Sequence, residues 1–426
     1  MTDAELAEVR ERLEAFAQEV FAPMARRDQR QWGCVYLRGL MLDGRRKSIE
    51  PIAERLPDGD EQCLQQFVNQ SPWEWGAVRE RLALKMSEEI SPDAWIIDDT
   101  GFPKAGRWSV GVARQYCGAL GKVANCQVGV SVSGATDTAS CPLDWRLFIP
   151  SEWDADAERR RKAHLPDDVR HTPKWKLALE MIDELGTWGR EAKPVLGDAA
   201  YGDITAFRLG LEERGLRYVV GVKGAIGAHA QEARPARPPY RGRGRPPKPR
   251  YRTPPSSLEA LALAAGPHAL CEVSWREGVR GELRSRFGRL VVRPANEEIP
   301  RTEGGELPER TLIYEWPEGK PTPVKYWLSN LDPEPELPEL VRLAKLRWRI
   351  EHDYRELKDA LGLDHFEGRS YRGWNHHVTL VSVAHAFLTT ERLRLEAAAQ
   401  EAEGEPGGAQ ADDADRESRR PFARAA

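Results

Sequence analysis

The hydrophobic positions of the first 90 residues recur at the spacing of an amphipathic helix. Apolar side chains in the opening segment stand three or four positions apart, at Leu6, Val9, Leu13, Phe16 and Val20. This period places them on one face of a helix. Farther on, Ser71, Pro72 and Glu74 have the spacing of a capping box with proline at the first helical position. We therefore predict that residues 1–90 form an all-helical domain, with one helix beginning at Pro72.

From residue 95 onward the hydrophobic period becomes that of strands. "AWIID" is a short apolar run, and "CQVGVSVSG" alternates valine with small or polar residues, which predicts a strand. A third strand is predicted at "PLDWRLFIP". The helix "KWKLALEMIDELGTWG", the strand "KPVLGD", the helix "AFRLGLEERG" and the strand "RYVVGV" follow. Three strands followed by this alternation predict an α/β fold with a mixed sheet.

The alternation of helices and strands is interrupted between residues 225 and 334. A Pro/Arg-rich segment at 234–252 opens the interruption, and three strand-like segments follow it, so 225–334 is predicted to be a mostly β insertion. A long helical pattern begins near Pro335, and a last apolar helix ends near residue 395. We predict that 91–224 and 335–395 form one domain, and that the acidic tail 396–426 is disordered.

The charge of the chain is unevenly distributed. The formal net charge is −4, and the tail from Glu396 onward accounts for all of it with eight acids and four arginines. Segment 234–252 carries eight positive charges and no acid, so a nucleic-acid contact is compatible with the composition. The six cysteines form no CxxC pair, no apolar run is long enough to span a bilayer, and the N-terminus is no secretory signal. We expect a cytoplasmic protein.

Three acids occupy positions at which a metal site could form. Asp98 and Asp198 follow predicted strands, and Glu351 lies within the long helical pattern. Strand ends that meet at one edge of a sheet bring such side chains together, and a divalent cation relieves the repulsion between them. Two Mg²⁺ ions roughly 4 Å apart are a known arrangement for phosphodiester displacement. The alternative is that both Asp residues are turn or N-cap residues and Glu351 is a solvated surface residue.

Several long motifs resemble the DDE-type insertion-sequence transposases, specifically the branch called family seven-oh-one. They are "DDTGFPKAGRWSVGVARQYCGALGKVANCQVGVSVS", "RLFIPSEW", "LGDAAYGD" and "RWRIEHDYRELKDALGLDHFEGRSYRGWNHH". The resemblance covers about residues 30–390 and implies a ribonuclease-H-like catalytic domain, split before its last helix by the β insertion. It also implies DNA cleavage and strand transfer with two Mg²⁺ ions, for which Mn²⁺ can substitute. The implied partners are double-stranded transposon ends and target DNA, bound by a homodimer at the bacterial nucleoid, without a membrane.

The resemblance also implies roles for individual acids. It makes Asp98, Asp198 and Glu351 the catalytic residues and metal ligands, with Asp99 as the reserve for the first position. Because a strand points successive side chains to opposite faces, only one of Asp98 and Asp99 is expected to face the metals.

The helix motif around Glu351 implies two cations for DNA phosphate. Arg347 lies four residues before Glu351 and Lys358 lies seven after it, so all three share one helix face. The related motif has a Tyr where this chain has Ala344, and Tyr354 is the candidate to replace it.

Other candidate DNA contacts lie outside the acid motifs. Lys104 follows the first acid and either binds the DNA backbone or is a surface turn residue. Arg243 and Arg245 have the composition of an AT-hook, which enters the minor groove of A·T-rich DNA, although a solvated linker that touches only phosphates is the alternative. We expect His376 and His377 to contact DNA or, in preference, to pack inside the protein.

The function that combines these features is a transposase. Its residues 1–90 and the insertion would bind the terminal inverted repeats of its own mobile element, and its acids would cleave and join strands. Two other functions remain open: a catalytically silent, domesticated DNA-binding relative, and a ribonuclease-H-like nuclease or resolvase without strand transfer.

Overall fold

The N-terminal part of the chain is helical, as predicted. A computed structural model describes residues 2–240, 242, 245, 247–278, 281–332 and 335–404. Its first helices are α1 (Asp3–Val20), α2 (Arg27–Met41), α3 (Ile49–Arg55), α4 (Glu61–Asn69) and α5 (Trp75–Ile90).

The predicted helix start at Pro72 is wrong, because α5 begins at Trp75. Trp73 is buried instead and its ring stacks on His376 at a centroid distance of 3.7 Å. The side chain of Gln29 donates to the Ser71 hydroxyl, which the capping box would have used. Long-range packing therefore displaced a locally plausible helix start.

A mixed sheet follows the helices. Its first strands are β1 (Ala94–Pro103), β2 (Ala113–Cys117), β3 (Lys122–Ala135), β4 (Ser140–Leu147), β5 (Val195–Gly197) and β6 (Tyr218–Val222). Strand β3 pairs antiparallel with β1, β2 and β4, whereas β5 pairs in parallel with both β1 and β6. This arrangement agrees with the predicted ribonuclease-H-like sheet. The helices between β4 and β6 are α6 (Ala157–Lys162), α7 (Lys174–Thr187), α8 (Ala199–Gly202) and α9 (Thr205–Glu213).

The insertion is mostly β, as predicted, and it continues the same sheet. Its elements are β7 (Gly227–Ala230), β8 (Ser256–Ser257), α10 (Leu258–Ala265), β9 (Leu270–Gly278), β10 (Gly281–Pro294), β11 (Arg310–Glu315) and β12 (Lys325–Ser329). Strand β12 pairs antiparallel with β6, so the strand order runs β2-β3-β1-β5-β6-β12-β11-β10-β7-β8. Strand β4 pairs with β3, and β9 pairs with β10.

The predicted long helix is divided into segments. It consists of α11 (Leu337–Leu346), α12 (Trp348–Arg355) and a π-helical turn (Glu356–Ala360), in which the amide of Leu361 donates to the Glu356 carbonyl at 3.2 Å. The last helix, α13 (Tyr371–Gly404), runs past residue 396, where the tail was predicted to begin. The Ala- and Glu-rich sequence there has high helix propensity. The rest of the tail, 405–426, lies outside the described residues.

One hydrophobic core joins the N-terminal helices, the sheet and α13. Arg79 of α5 is 2% exposed and donates hydrogen bonds to the Asp144 carboxylate on β4 and to Thr379 on α13. The N-terminal helices are thereby tied to the elements that cover the sheet. Within the described part of the chain, no helix is both long enough and apolar enough to cross a membrane.

Candidate active site

The two adjacent acids of β1 face opposite sides of the sheet. Asp98 pairs with Ser131 in the β1–β3 register, and its carboxylate contacts α11–α12 through Arg347. Asp99 points to the α7 side, where Lys174 Nζ lies 2.9 Å from its Oδ2 and the Tyr201 hydroxyl lies 3.3 Å from the same oxygen. The strand alternation thus separates the first predicted acid from its reserve.

Asp198 stands next to Asp98 at the same edge of the sheet. The parallel register pairs Ile97 with Gly197, and the next residues along the two strands are Asp98 and Asp198. Asp198 also caps α8, since the amide of Ala200 donates to its Oδ1 at 2.8 Å. The N-cap role left open by the sequence is therefore present, alongside the proximity to Asp98.

The surroundings of Asp98 disfavour a second negative charge. The pKa of Asp98 is raised to about 7, mainly because the carboxyl is buried; Arg347 opposes this shift and the neighbouring Asp198 carboxylate adds to it. Desolvation and a like charge both favour the neutral carboxyl. A cation bound between the Asp98 and Asp198 carboxylates would offset both the desolvation and the repulsion, and it would favour the charged form of Asp98.

Arg347 joins the first and third predicted acids. Its Nη1 donates to Asp98 Oδ2 at 2.6 Å and its Nη2 to Glu351 Oε1 at 2.7 Å. Burial alone would lower the pKa of Arg347, but the carboxylates of Asp98, Glu351 and Asp198 raise it above its usual value. The residue lies at the break between α11 and α12, and this break directs the guanidinium toward β1. Glu351 itself is 62% exposed.

The carboxylate oxygens of the three acids suit a hard cation, but the three side chains do not form a preassembled cation site. Among the residues that the structure describes, no three His, Cys, Asp or Glu side chains form a group ready to hold a metal ion. The guanidinium of Arg347 lies between Asp98 and Glu351 instead. All three acids offer only carboxylate oxygens, the ligands that Mg²⁺ prefers. Asp98 and Asp198 would hold such an ion, and Glu351 would complete the set once Arg347 releases it.

The other helix-motif residues make internal contacts. Lys358 donates to the Gly101 carbonyl on β1 at 2.9 Å, and burial lowers its pKa. The buried Tyr354 hydroxyl lies 2.7 Å from Ser131 Oγ. The hydroxyl of Tyr354 therefore has its hydrogen-bond partner inside the protein, on β3.

Lys104 points inward rather than away from the protein. Its ammonium donates to the Phe366 carbonyl, and burial lowers the pKa of Lys104 to about 8. This geometry differs from that of both a free surface lysine and an exposed phosphate contact.

The basic segment borders an open hollow. Arg245 lines it together with Arg237, Lys248 and Arg301, and the hollow has a volume of about 690 Å³. Arg243, the other AT-hook candidate, lies outside the described residues.

His376 and His377 pack inside the protein. Both are 0% exposed, and burial lowers the pKa of each to about 3. The Tyr36 hydroxyl lies 2.9 Å from His377 Nδ1, and the Gly362 carbonyl lies 3.1 Å from its Nε2. Neither ring reaches the protein surface, so the packing alternative agrees with the structure.

Two polar groups beside the site were missed from the sequence. Lys174 and Tyr201 bind Asp99 from α7 and α8, respectively, and hold it away from the Asp98 face. No local pattern links either residue to Asp99, since the contacts depend on how both helices pack against β1. A lysine at the first turn of a predicted helix was the available signal for Lys174.

Comparison with known proteins identifies the family of the chain. The family model described as "DDE superfamily endonuclease" matches residues 19–282. A curated relative, the probable transposase for insertion sequence element IS701 of Microchaete diplosiphon, is 31% identical over 189 residues, which are 43% of this chain and 47% of that protein. The match thus spans about half of the relative's length. The resemblance predicted from the sequence motifs is confirmed, and the chain belongs to the DDE superfamily of endonucleases.

Proposed function

We propose that this protein is a DNA transposase that binds the terminal inverted repeats of its own mobile element, then cleaves and joins strands with Asp98, Asp198 and Glu351. The observation that carries the proposal is the link from Asp98 through Arg347 to Glu351, with Asp198 in register beside Asp98. In a DDE-superfamily chain, two acids side by side at one sheet edge and a third acid joined to the first through an arginine fit the machinery expected for phosphodiester chemistry.

The chemistry assigns distinct tasks to the carboxylates and the arginine. Divalent metal ions at such a site activate water and stabilise the entering and leaving oxygens. Asp98 and Asp198 supply the paired negative charge that holds them. Because a guanidinium binds phosphate in the same fork geometry as carboxylate, Arg347 can exchange Asp98 and Glu351 for a DNA phosphate. That exchange would free Glu351 when substrate arrives.

DNA binding is expected to depend most on the insertion. Residues 1–90 carry thirteen Lys and Arg against seventeen Asp and Glu, a net charge of −4. Segment 234–252 carries eight positive charges and no acid. Phosphate contacts from this segment should make affinity fall steeply with salt. The N-terminal helices then contribute to end recognition through local contacts rather than through their overall charge.

The test is cleavage and joining of labelled DNA taken from both flanks of the gene. Asp98→Asn, Asp198→Asn and Glu351→Gln should each abolish cleavage in Mg²⁺ while retaining DNA binding, and EDTA should abolish cleavage by the unmodified protein. Asp99→Asn is the matched control, since it removes a neighbouring carboxylate that faces Lys174, and it should retain cleavage.

Each other outcome identifies a different function. Cleavage that survives in Asp98→Asn but is lost in Asp99→Asn would contradict the assignment of the first acid. Binding without cleavage under all metal conditions would indicate the silent relative. Nicked products that are never joined to a target would indicate a nuclease or resolvase.

A further inference from the structure

A hairpin beside the acids presents large apolar side chains to solvent. Strands β2 and β3 are joined by a short helical turn, and all residues from 118 to 123 are exposed. Tyr116, Leu120 and Val123 are 65%, 46% and 55% exposed, respectively. Tyr116 pairs with Val123 across the hairpin, so the two side chains project from the same face. Exposed apolar clusters of this kind mark binding surfaces.

The base of the hairpin is packed against the strand that carries Asp98. Gly101, three residues beyond Asp98, is close enough to Cys117 that an added Cβ would lie 2.8 Å from its Sγ. Lys358 donates to the Gly101 carbonyl from the other side. Cys117 also shares a small separate core with Cys126 and Val128, which supports the hairpin independently. Because strand side chains alternate, the Gly101 position faces the same side of β1 as Asp99, so the hairpin base packs on that side, three residues beyond Asp98 along the strand.

The charge around the tip is suited to a polyanion. The stretch from Thr100 to Thr136 contains four Lys and Arg residues and no Asp or Glu. Two of these cations, Arg114 and Lys122, are exposed on the hairpin itself. Arg114 lies two residues before Tyr116 and hence on the same strand face. Cation and aromatic side chain together match a phosphate and the base next to it.

We propose that this hairpin tip holds the DNA strand next to the cleavage site, with Tyr116 and Leu120 stacking on an unpaired or unstacked base. The assignment rests on the proposed function, because the DNA must reach Asp98 for the hairpin to touch it. Apolar wedges between base steps are an established means of opening a duplex, and aromatic stacking tolerates any base. A second copy of this chain fits the surface less well, because a twofold contact would place two basic hairpins, neither of which has an acidic residue, against each other.

The experiment measures binding of the full chain to two fluorescent probes in EDTA: a short paired duplex and the same duplex with two adjacent mispaired bases. The unmodified protein should prefer the mispaired probe by about tenfold, the size expected from stacking on one base. The triple variant Tyr116→Ser/Leu120→Ser/Val123→Ser should lose that preference. Arg114→Gln/Lys122→Gln should weaken both probes alike and reduce the salt dependence. Val324→Ser, at another exposed apolar residue, is the control and should behave as the unmodified protein.

Thermal unfolding of each variant checks that the fold is intact, which is expected because every substituted side chain is exposed. An unchanged preference in the triple variant would overturn the proposal. So would a triple variant that alters self-association in sizing experiments but not DNA binding, since the hairpin would then be a contact between copies. Failure of the proposed function is detected by a different assay, in which Asp98→Asn would still cleave DNA. That result would not prevent the probe preference from being measured.

Discussion

Replacing Arg79 with Met tests whether the N-terminal helices fold as one unit with the sheet. The guanidinium donates to Thr379 Oγ1 at 2.8 Å, to the Trp145 carbonyl at 2.7 Å and to Asn375 Oδ1 at 2.9 Å. A further bond of 3.2 Å reaches Asp144, whose side chain is 1% exposed. Methionine preserves much of the volume but removes the charge and every donor.

The free-energy cost of Arg79→Met depends on which hydrogen bonds its former partners keep. Breaking a buried ion pair by removing one partner typically costs about 3–5 kcal/mol. Asp144 retains Arg146, whose Nη1 lies 2.6 Å from the other carboxylate oxygen, and the Trp145 carbonyl retains a bond from the same nitrogen. The amide oxygen of Asn375 loses its guanidinium donor. We therefore expect a loss near the lower limit, about 3 kcal/mol.

The assay is urea unfolding followed by tryptophan fluorescence and by circular dichroism. The two signals should change together, and the midpoint of Arg79→Met should fall without a change of slope. Arg81→Met is the matched control on the same helix. It breaks an exposed pair with Glu19 and should cost at most about 1 kcal/mol. A loss in Arg79→Met no larger than in this control, or a separate transition of the helical signal alone, would contradict the coupling and favour an independent N-terminal domain.

Two other predictions concern the interior. Burial lowers the pKa of His377 to about 3, below the unfolded value of about 6.5, so the unfolded chain takes up a proton first as pH falls and stability drops in that window. Between about pH 7 and about pH 5, the decrease in the free energy of unfolding should be about 2 kcal/mol smaller in His377→Gln than in the unmodified protein. His268 is exposed, and His268→Gln should leave this decrease unchanged. A Cβ at Gly202 would lie 2.0 Å from the Gly221 carbonyl oxygen, so Gly202→Ala should cost about 1–3 kcal/mol in thermal unfolding. Gly186→Ala, which meets nothing within 4 Å, is its control; equal unfolding of the two variants would contradict the steric argument.

Some features were predictable because they depend on short-range periodicity. A short apolar run identified β1 and the alternation of valines identified β3, and the run "WIIDD" placed Asp98 near the edge of a sheet. The same alternation predicted that Asp98 and Asp99 face apart, as their separate partners Arg347 and Lys174 now indicate. Each of these inferences needs only the period of a strand and the order of the elements.

Other features were not predictable because they depend on contacts between distant segments. A capping box at Ser71 has the correct local chemistry, yet Trp73 stacks on His376, about 300 residues away in the chain, and the helix starts later. Lys104 and Lys358 were predicted to contact DNA phosphate, whereas the backbone carbonyls that their ammonium groups bind lie far away in the sequence and could not be predicted.

The order of helices and strands, the family resemblance and the candidate acids could be inferred from the sequence, because hydrophobic period and motif spacing are properties of neighbouring residues. Long-range packing places Arg347 between Asp98 and Glu351, makes the insertion continue the sheet, and leaves the tip of the β2–β3 hairpin exposed. The physical reason is that burial and the choice of a charge partner depend on which elements pack together across long sequence separations, and no local pattern specifies that packing.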